Sequence, residues 1–179
     1  MLIGRYITAL PFILLLAASY LLGSIPTAYL IARWTRGIDI RQYGSGNVGA
    51  SNVLATVSRW WTVPVTVFDL GKGMLVVFLA KLAGLEVYQQ VLVGMAAIAG
   101  HNWPVFLRFN GGRGILTTVG VILVLAPWLT LAMLVIAFSF APFHLLPIGG
   151  LLALALGPLG SWFLAQPLQI DRSIPLSLG

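Results

Sequence analysis

The chain has 179 residues, of which 59% are hydrophobic and 8% charged, and its mean hydropathy is +0.99. A soluble domain carries about 25% charged residues because its surface must face water, so this composition excludes an ordinary soluble globule and predicts an all-α integral membrane protein. The net charge of +6 is explained by loop arginines that hold one face in the cytoplasm, which suits anionic lipid or a phosphorylated substrate and gives no reason to invoke nucleic acid.

Met1 to Leu22, with Arg5 ahead of an apolar run, has the outline of a signal peptide. The run continues to Ala32, however, and is long enough to span a bilayer, which takes roughly 20 apolar residues. Six stretches qualify as spans, about 9–32, 61–80, 87–101, 114–127, 129–143 and 145–165. The third to fifth are short and must tilt or extend into the interface. Residues 1–179 then form a single polytopic membrane domain with about six transmembrane helices. Arg33, Arg36, Arg41 and Arg59 fall in one connection, Arg108 and Arg113 in another. If the spans alternate, segments 33–60 and 101–114 share the cytoplasmic side, and the N-terminus lies outside with Lys81, Glu86, Asp171 and Arg172. Residues 166–179 read as a polar turn leading toward a further span, so the chain is expected to stop short of its natural end or to have diverged there.

Three polar stretches break the apolar background. The first runs from Gly44 to Asn52 as Gly-Ser-Gly-Asn-Val-Gly-Ala-Ser-Asn, preceded by Arg41. Glycines let a ligand approach the backbone, and Ser and Asn add donors, so this is either a concave anion site or an ordinary polar turn with Asx hydrogen bonds. It lacks the Gly-Lys-Ser/Thr ending of a Walker loop. The second places Asp69 and Lys72 in or beside the second span. An unpaired charge at the bilayer centre costs roughly 2.5–3.5 kcal/mol. Three residues apart on a helix, the two neutralise each other, either as an ion pair locking helices or with Lys72 pointing into a substrate cavity. The third runs from His101-Asn102-Trp103-Pro104 through Arg108 to Gly114 and opens into a helix. Free amides and the helix dipole there suit a phosphate, while a positive-inside anchor with a flexible elbow accounts for the same residues. Phe68–Leu75 and Phe109–Leu116 echo one another, as a duplicated element or by coincidence among glycine-rich segments. Four acids and two histidines, widely scattered, form no metal-ligand cluster. No acid follows His101 or His144 at the spacing of the histidine–aspartate acyltransferases, and nothing local supports a relay from Ser45, His101 and Asp69.

Together these residues resemble the bacterial membrane acyl-phosphate:glycerol-3-phosphate acyltransferases, the PlsY family. The match runs from Tyr20 to Pro26, through Gly37 to Arg41 and Gly44 to Asn52. It continues at Asp69, Lys72 and Gly73, then at Gly100-His101, Pro104 to Leu107 and Gly111 to Gly114. The resemblance implies seven transmembrane helices with a cytoplasm-facing site, in a multi-pass protein of the bacterial cytoplasmic membrane. It implies transfer of a fatty acyl group from acyl phosphate to the 1-hydroxyl of glycerol 3-phosphate, giving lysophosphatidic acid for phospholipid synthesis, with no cofactor. Ser45 matches the family's essential serine, and Gly111, Gly112 and Gly114 its phosphate-binding glycines. Gly46, Asn47, Ser51, Asn52, Lys72, His101, Arg108 and Arg113 complete the expected substrate- and phosphate-binding set.

Departures accompany the match. Ala55 stands where the family usually has arginine, with Arg59 four residues on, one helical turn if that stretch is helical. Arg113 replaces lysine in the Gly-Gly-Lys-Gly motif, keeping the charge and gaining a bidentate fork. Asn110 stands where lysine is common. Ala141-Pro142-Phe143-His144 replaces a serine-bearing stretch, and the family's terminal histidine–asparagine motif is missing from the sequence. Two other readings therefore stand beside the enzyme: a non-catalytic relative that binds lipid or a phosphorylated ligand, and a small transporter supported by Asp69, Lys72 and the internal echo.

Overall fold

The computed structural model describes residues 2–143, 145, 148–153 and 155–157. All regular structure among them is helical, and the chain divides into two compact units, Met1–Leu125 and Ala126–Gly179. The first unit comprises α1 (Leu2–Gly23), α2 (Thr27–Arg36), a 3-10 turn (Ile40–Gln42), α3 (Ala50–Thr56), α4 (Arg59–Leu82), α5 (Val87–Asn102), a second 3-10 turn (Val105–Leu107) and α6 (Ile115–Leu125). In the second unit α7 (Pro127–Ser139) starts on Pro127, whose missing N–H is harmless at a first helical position. A 3-10 turn (Ala141–Phe143) and helical residues 148–153 and 155–157 follow. His144, Asp171, Arg172 and the tail 166–179 lie outside the described residues.

Among the described residues, two stretches are long and apolar enough to cross a membrane, Leu10–Arg36 and Arg59–Leu82. Within the first, expected as a span over 9–32, the helix is interrupted at Ser24, Ile25 and Pro26. Pro26 offers no N–H to continue the ladder and disfavours helical geometry at Ile25. α2 then starts afresh with Ala28, Ile31 and Ala32 buried on one face and Arg33, Trp34 and Arg36 exposed on the other. It ends where Gly37, at φ 69°, donates its N–H to the Arg33 carbonyl at 3.1 Å. α2 is thus amphipathic, with one buried apolar face and one exposed cationic face.

Small residues let the long helices meet backbone to backbone. At the α4–α6 seam a Cβ on Gly73 would sit 2.2 Å from the Thr117 carbonyl oxygen, and one on Gly120 would sit 2.1 Å from that of Leu70. α1 and α5 approach in the same way, Gly23 against the Ala97 carbonyl and Gly100 against that of Tyr20. Buried Ser19 and Ser24 return their hydroxyls to the carbonyls four residues back, at 2.6 and 2.8 Å, so neither leaves an unpaired donor. One apolar cluster, with Val76, Val77, Val93, Ala97 and Val121, fills the space between α4, α5 and α6. A second gathers Ile31 and Ala32 of α2, Ile40, Val48, Val53 of α3, Val65 of α4 and Leu107. That second cluster sets the Gly44–Asn52 loop against the residues that follow α5.

Candidate functional site

The first loop is built around two side chains. Asp39 caps the 3-10 turn by accepting the Arg41 N–H at 3.1 Å, and its carboxylate takes the Arg41 guanidinium at 2.9 Å (Nε to Oδ1) and 2.6 Å (Nη2 to Oδ2). The same guanidinium lies 5.4 Å from the Tyr29 ring centroid and donates to the Leu107 carbonyl at 3.4 Å, which ties this loop to the next. Its hydrogen bonds to Asp39 hold that carboxyl below the usual carboxylate range, and the carboxylate raises Arg41 in return. Beyond them Gly44 and Gly46, at φ 58° and 70°, fold the chain tightly around an exposed Ser45.

Asn52 holds this turn from beneath. It is 1% exposed; its Oδ1 accepts the Ser45 N–H at 3.2 Å, and its Nδ2 donates to the carbonyls of Ile40, Tyr43 and Asn47 at 3.2, 3.0 and 3.0 Å. The sequence places Asn52 among the substrate ligands; the structure instead occupies its amide with the loop's own backbone.

The second loop leaves α5 at Asn102, turns through Val105–Leu107 and reverses at Arg108 and Phe109, both left-handed at φ 52° and 64°. The reversal brings Gly111 and Gly112 back onto the end of α5, where their N–H groups donate to the Asn102 and His101 carbonyls at 3.2 and 3.0 Å. These two amides are therefore engaged within the turn rather than open to a phosphate. Gly112 is the seam between the loops: a Cβ there would lie 2.2 Å from His101 Nε2 and 2.5 Å from the Val48 carbonyl oxygen. Any other residue would force the loops apart. From Gly114, α6 begins, with the Thr118 N–H on the Gly114 carbonyl at 2.8 Å. The proposed echo does not survive: Phe68–Leu75 lies wholly within α4, whereas residues 109–114 are irregular loop.

Behind the loops lies a buried ionisable trio. Lys72 Nζ is 2.9 Å from Asp69 Oδ1, 2.8 Å from His101 Nδ1 and 3.1 Å from the Gly23 carbonyl oxygen, with that of Ile25 at 3.5 Å. The Lys72 side chain is 1% exposed. The expected pairing of Lys72 with Asp69 is observed. At the α1–α2 break the ammonium is a donor to the Gly23 carbonyl, while the Ile25 carbonyl also takes the Thr27 N–H at 3.2 Å.

Two cavities flank the loops. The larger, about 520 Å³, is open and polar, lined by Asp39, Arg41, Gln42, Gly46, Asn102, Phe109, Asn110 and Gly111. The smaller, about 300 Å³, is lined by Asn47, Gly49, Ala50, Ser51, Thr66, Asp69, His101, Arg113, Gly114, Ile115 and Leu116. Asn47, Ser51, His101, Arg113 and Gly114 of the expected set thus converge on one space, and Gly46 and Gly111 on the other. Ser45, Asn52, Lys72, Arg108 and Gly112 line neither; Ser45 and Arg108 are exposed beside them. Ala55 is exposed on α3, and Arg59 stacks 5.1 Å from the Trp60 ring. Sequence reading did not single out Thr66 as a wall residue or the Asp39–Arg41 pair as a wall of the larger cavity. Nor did it single out Asn102, whose Oδ1 is buried without a partner. The arrangement offers cationic, amide and hydroxyl donors to an anion, with apolar Ile115 and Leu116 alongside. Among the described residues no group of acids and histidines has a metal-site arrangement.

The sequence matches the family model described as glycerol-3-phosphate acyltransferase over residues 13–178. It is 52% identical over 152 residues to glycerol-3-phosphate acyltransferase 4 of Dehalococcoides mccartyi, covering 85% of this chain and 66% of that protein. It is 53% identical over 114 residues to a glycerol-3-phosphate acyltransferase of Synechococcus, covering 64% of this chain and 57% of that one. The chain thus spans less than two thirds of the length of either relative. The fold is similar to the crystal structure of PlsY (YgiH), an integral membrane glycerol 3-phosphate acyltransferase, in its glycerol 3-phosphate form. The TM-score is 0.79 at 28% identity, over 88% of this chain and 80% of that one. The lysophosphatidic acid form of the same protein gives 0.75.

Proposed function

The chain belongs to the glycerol-3-phosphate acyltransferase family, and from that premise we propose that it moves a fatty acyl group from acyl phosphate to the 1-hydroxyl of glycerol 3-phosphate. The observation that carries this reading is the seam at Gly112, where two loops rich in anion-binding groups pack so closely that their side chains wall a common space. The hydroxyl oxygen attacks the acyl carbonyl carbon and the bond from that carbon to the phosphate oxygen breaks. Inorganic phosphate departs, taking up the hydroxyl proton. An acyl phosphate is already activated, so placement and charge stabilisation carry most of the rate.

Ser45, held at the tip of its turn by Asn52, is the group that meets the reacting centre. Arg113, Asn47, Ser51, His101 and the backbone from Gly114 into α6 hold phosphate in the smaller cavity. Gly46, Gly111 and nearby Arg108 serve the larger one. Lys72, Asn52 and Gly112 act from behind, by fixing the loops. The acyl chain runs past Ile115 and Leu116 into lipid.

The protein is read as a multi-pass protein of the bacterial cytoplasmic membrane. Its N-terminus lies outside, with about six spans in this chain and segments 33–60 and 101–114 cytoplasmic. The gathering of Arg33, Arg36, Arg41, Arg59, Arg108 and Arg113 in those two segments supports this orientation. The family match across 13–178 supports treating the whole chain as one membrane domain.

The test is acyl transfer by the purified protein in nanodiscs, with labelled glycerol 3-phosphate and either acyl phosphate or acyl-CoA as donor. Lysophosphatidic acid formed from acyl phosphate, and abolished in a folded Ser45→Ala variant, is the expected result; full activity in that variant would sink the assignment of Ser45. A second reading, a relative that binds phosphorylated lipid without turnover, is favoured by Ala55 in place of the family's arginine. No product from either donor in folded protein would establish it over the first.

A further inference from the structure

The buried trio does more than neutralise itself, and the atoms involved decide what the histidine offers. An ammonium has three N–H donors and no acceptor. Lys72 Nζ has three close acceptors: Asp69 Oδ1 at 2.9 Å, the Gly23 carbonyl at 3.1 Å and His101 Nδ1 at 2.8 Å. Since Lys72 can only donate, His101 Nδ1 must be the bare, accepting nitrogen. Asp69 is 3.6 Å from that nitrogen and already bonded to the ammonium, so it does not compete for a proton there. The ring proton is therefore on Nε2, the atom that faces Gly112 at the loop seam. His101 also lines the smaller cavity, as does Arg113.

We propose that Lys72 is a positioning residue that locks His101 as the neutral Nε2–H tautomer, so that His101 donates a hydrogen bond to a phosphate oxygen in the smaller cavity and does not serve as a proton acceptor. The identity of that anion rests on the acyltransferase reading; the tautomer does not. A ring fixed in this way adds a neutral donor beside Arg113 without adding charge to the membrane interior. It also links the α1–α2 break to the cavity through one side chain, since the ammonium that orients the ring is anchored on Gly23.

The test uses the full chain in nanodiscs with His144→Gln, which leaves His101 as the one histidine of the original two. Nitrogen-15 NMR of histidine-labelled protein at the assay pH should give a protonated Nε2 and a bare Nδ1. Titration with inorganic phosphate, the probe, should move the Nε2 resonance. Lys72→Met alone would strand the Asp69 carboxylate in a buried site, so the tautomer is read in Asp69→Asn/Lys72→Met, where the proton should shift to Nδ1 or divide between the nitrogens. In the transfer assay His101→Gln, whose amide reaches toward the Nε2 position, should retain activity within about tenfold, whereas His101→Asn should lose about 10²-fold in kcat, the size expected for one lost oxyanion donor. A ring protonated on Nδ1 or on both nitrogens, an Nε2 proton unmoved in the double variant, an Nε2 resonance indifferent to phosphate, or Asn performing as well as Gln would each overturn the proposal. Failure of the parent to transfer acyl groups would instead remove the acyltransferase reading, and the NMR results would stand on their own.

Discussion

The two loops that meet at Gly112 are held in opposite ways. The Gly44–Asn52 loop is fastened by a side chain: one buried amide, Asn52, bonds four backbone groups of its own loop. The Gly111–Gly114 loop is fastened by the lack of side chains, which lets its backbone bond directly to the end of α5 and rest against the His101 ring. The first is therefore vulnerable to deletion of a group, the second to addition of one. A site assembled from both tolerates little change on either side, because each loop forms part of the wall against which the other packs.

The largest effect expected from that contrast is in Gly112→Ala. A methyl 2.2 Å from His101 Nε2 and 2.5 Å from the Val48 carbonyl must part the loops. A displacement near 1 Å costs about 10²-fold in rate, so acyl transfer should fall by that order while the thermal midpoint changes little. An unaltered rate would show that the seam is looser than described. Next comes Asn52→Ala, which removes the side-chain partner of the Ser45 N–H and the Asn47 carbonyl and one of two donors on the Ile40 and Tyr43 carbonyls. Loss of about 2–4 kcal/mol is expected from a buried network of this kind, read as a lowered unfolding midpoint with activity lost in parallel. Asn52→Asp should not rescue it, since a carboxylate cannot donate to those carbonyls.

A smaller effect is expected away from the loops. Gly73→Ala pushes a methyl against the Thr117 carbonyl and should cost about 1–3 kcal/mol of overpacking, with kcat and KM close to the parent's in whatever fraction stays folded. A kinetic change as large as that of Gly112→Ala would erase the distinction between helix seam and loop seam. The smallest effect concerns Asp39. Its carboxyl is held low in the folded protein by Arg41, so the stability it contributes is complete above the ordinary carboxylate range and is lost as pH falls through its depressed value. Hydrogen exchange of the Arg41 amide should accelerate over that acid window in the parent and show no such step in Asp39→Asn.

The helices were largely legible in the sequence, because apolar runs report solvent. α4 and α5, expected over 61–80 and 87–101, lie at Arg59–Leu82 and Val87–Asn102. The break at Ser24–Pro26 was written in Pro26, but the apolar run on either side masked it. The false echo shows the limit of letters. Gly71 and Gly73 sit in a helix whose neighbour comes close, whereas Gly111, Gly112 and Gly114 sit in a turn, and only the three-dimensional surroundings separate the two uses. Asp69 and Lys72 were visible as a pair at helical spacing. Their third partner was not, since His101 lies 29 residues beyond Lys72 and reaches it through packing of α5 against α4 and α1. Asn52 shows a related limit: a polar side chain in a glycine-rich loop looks alike whether it faces a ligand or its own backbone.

The trio also bears on how such a chain enters a bilayer. Because Asp69 and Lys72 belong to the same helix, α4 carries the counterion of its buried lysine with it, its other charges, Arg59 and Lys81, lying at its two ends. It need not wait for α5, which is synthesised later. α1 and its break have already emerged by then, and the spare N–H groups of the ammonium give α4 a specific place to dock, on the Gly23 carbonyl. His101 arrives last and closes the set. The order of synthesis along the chain thus coincides with the order in which the buried lysine acquires its partners.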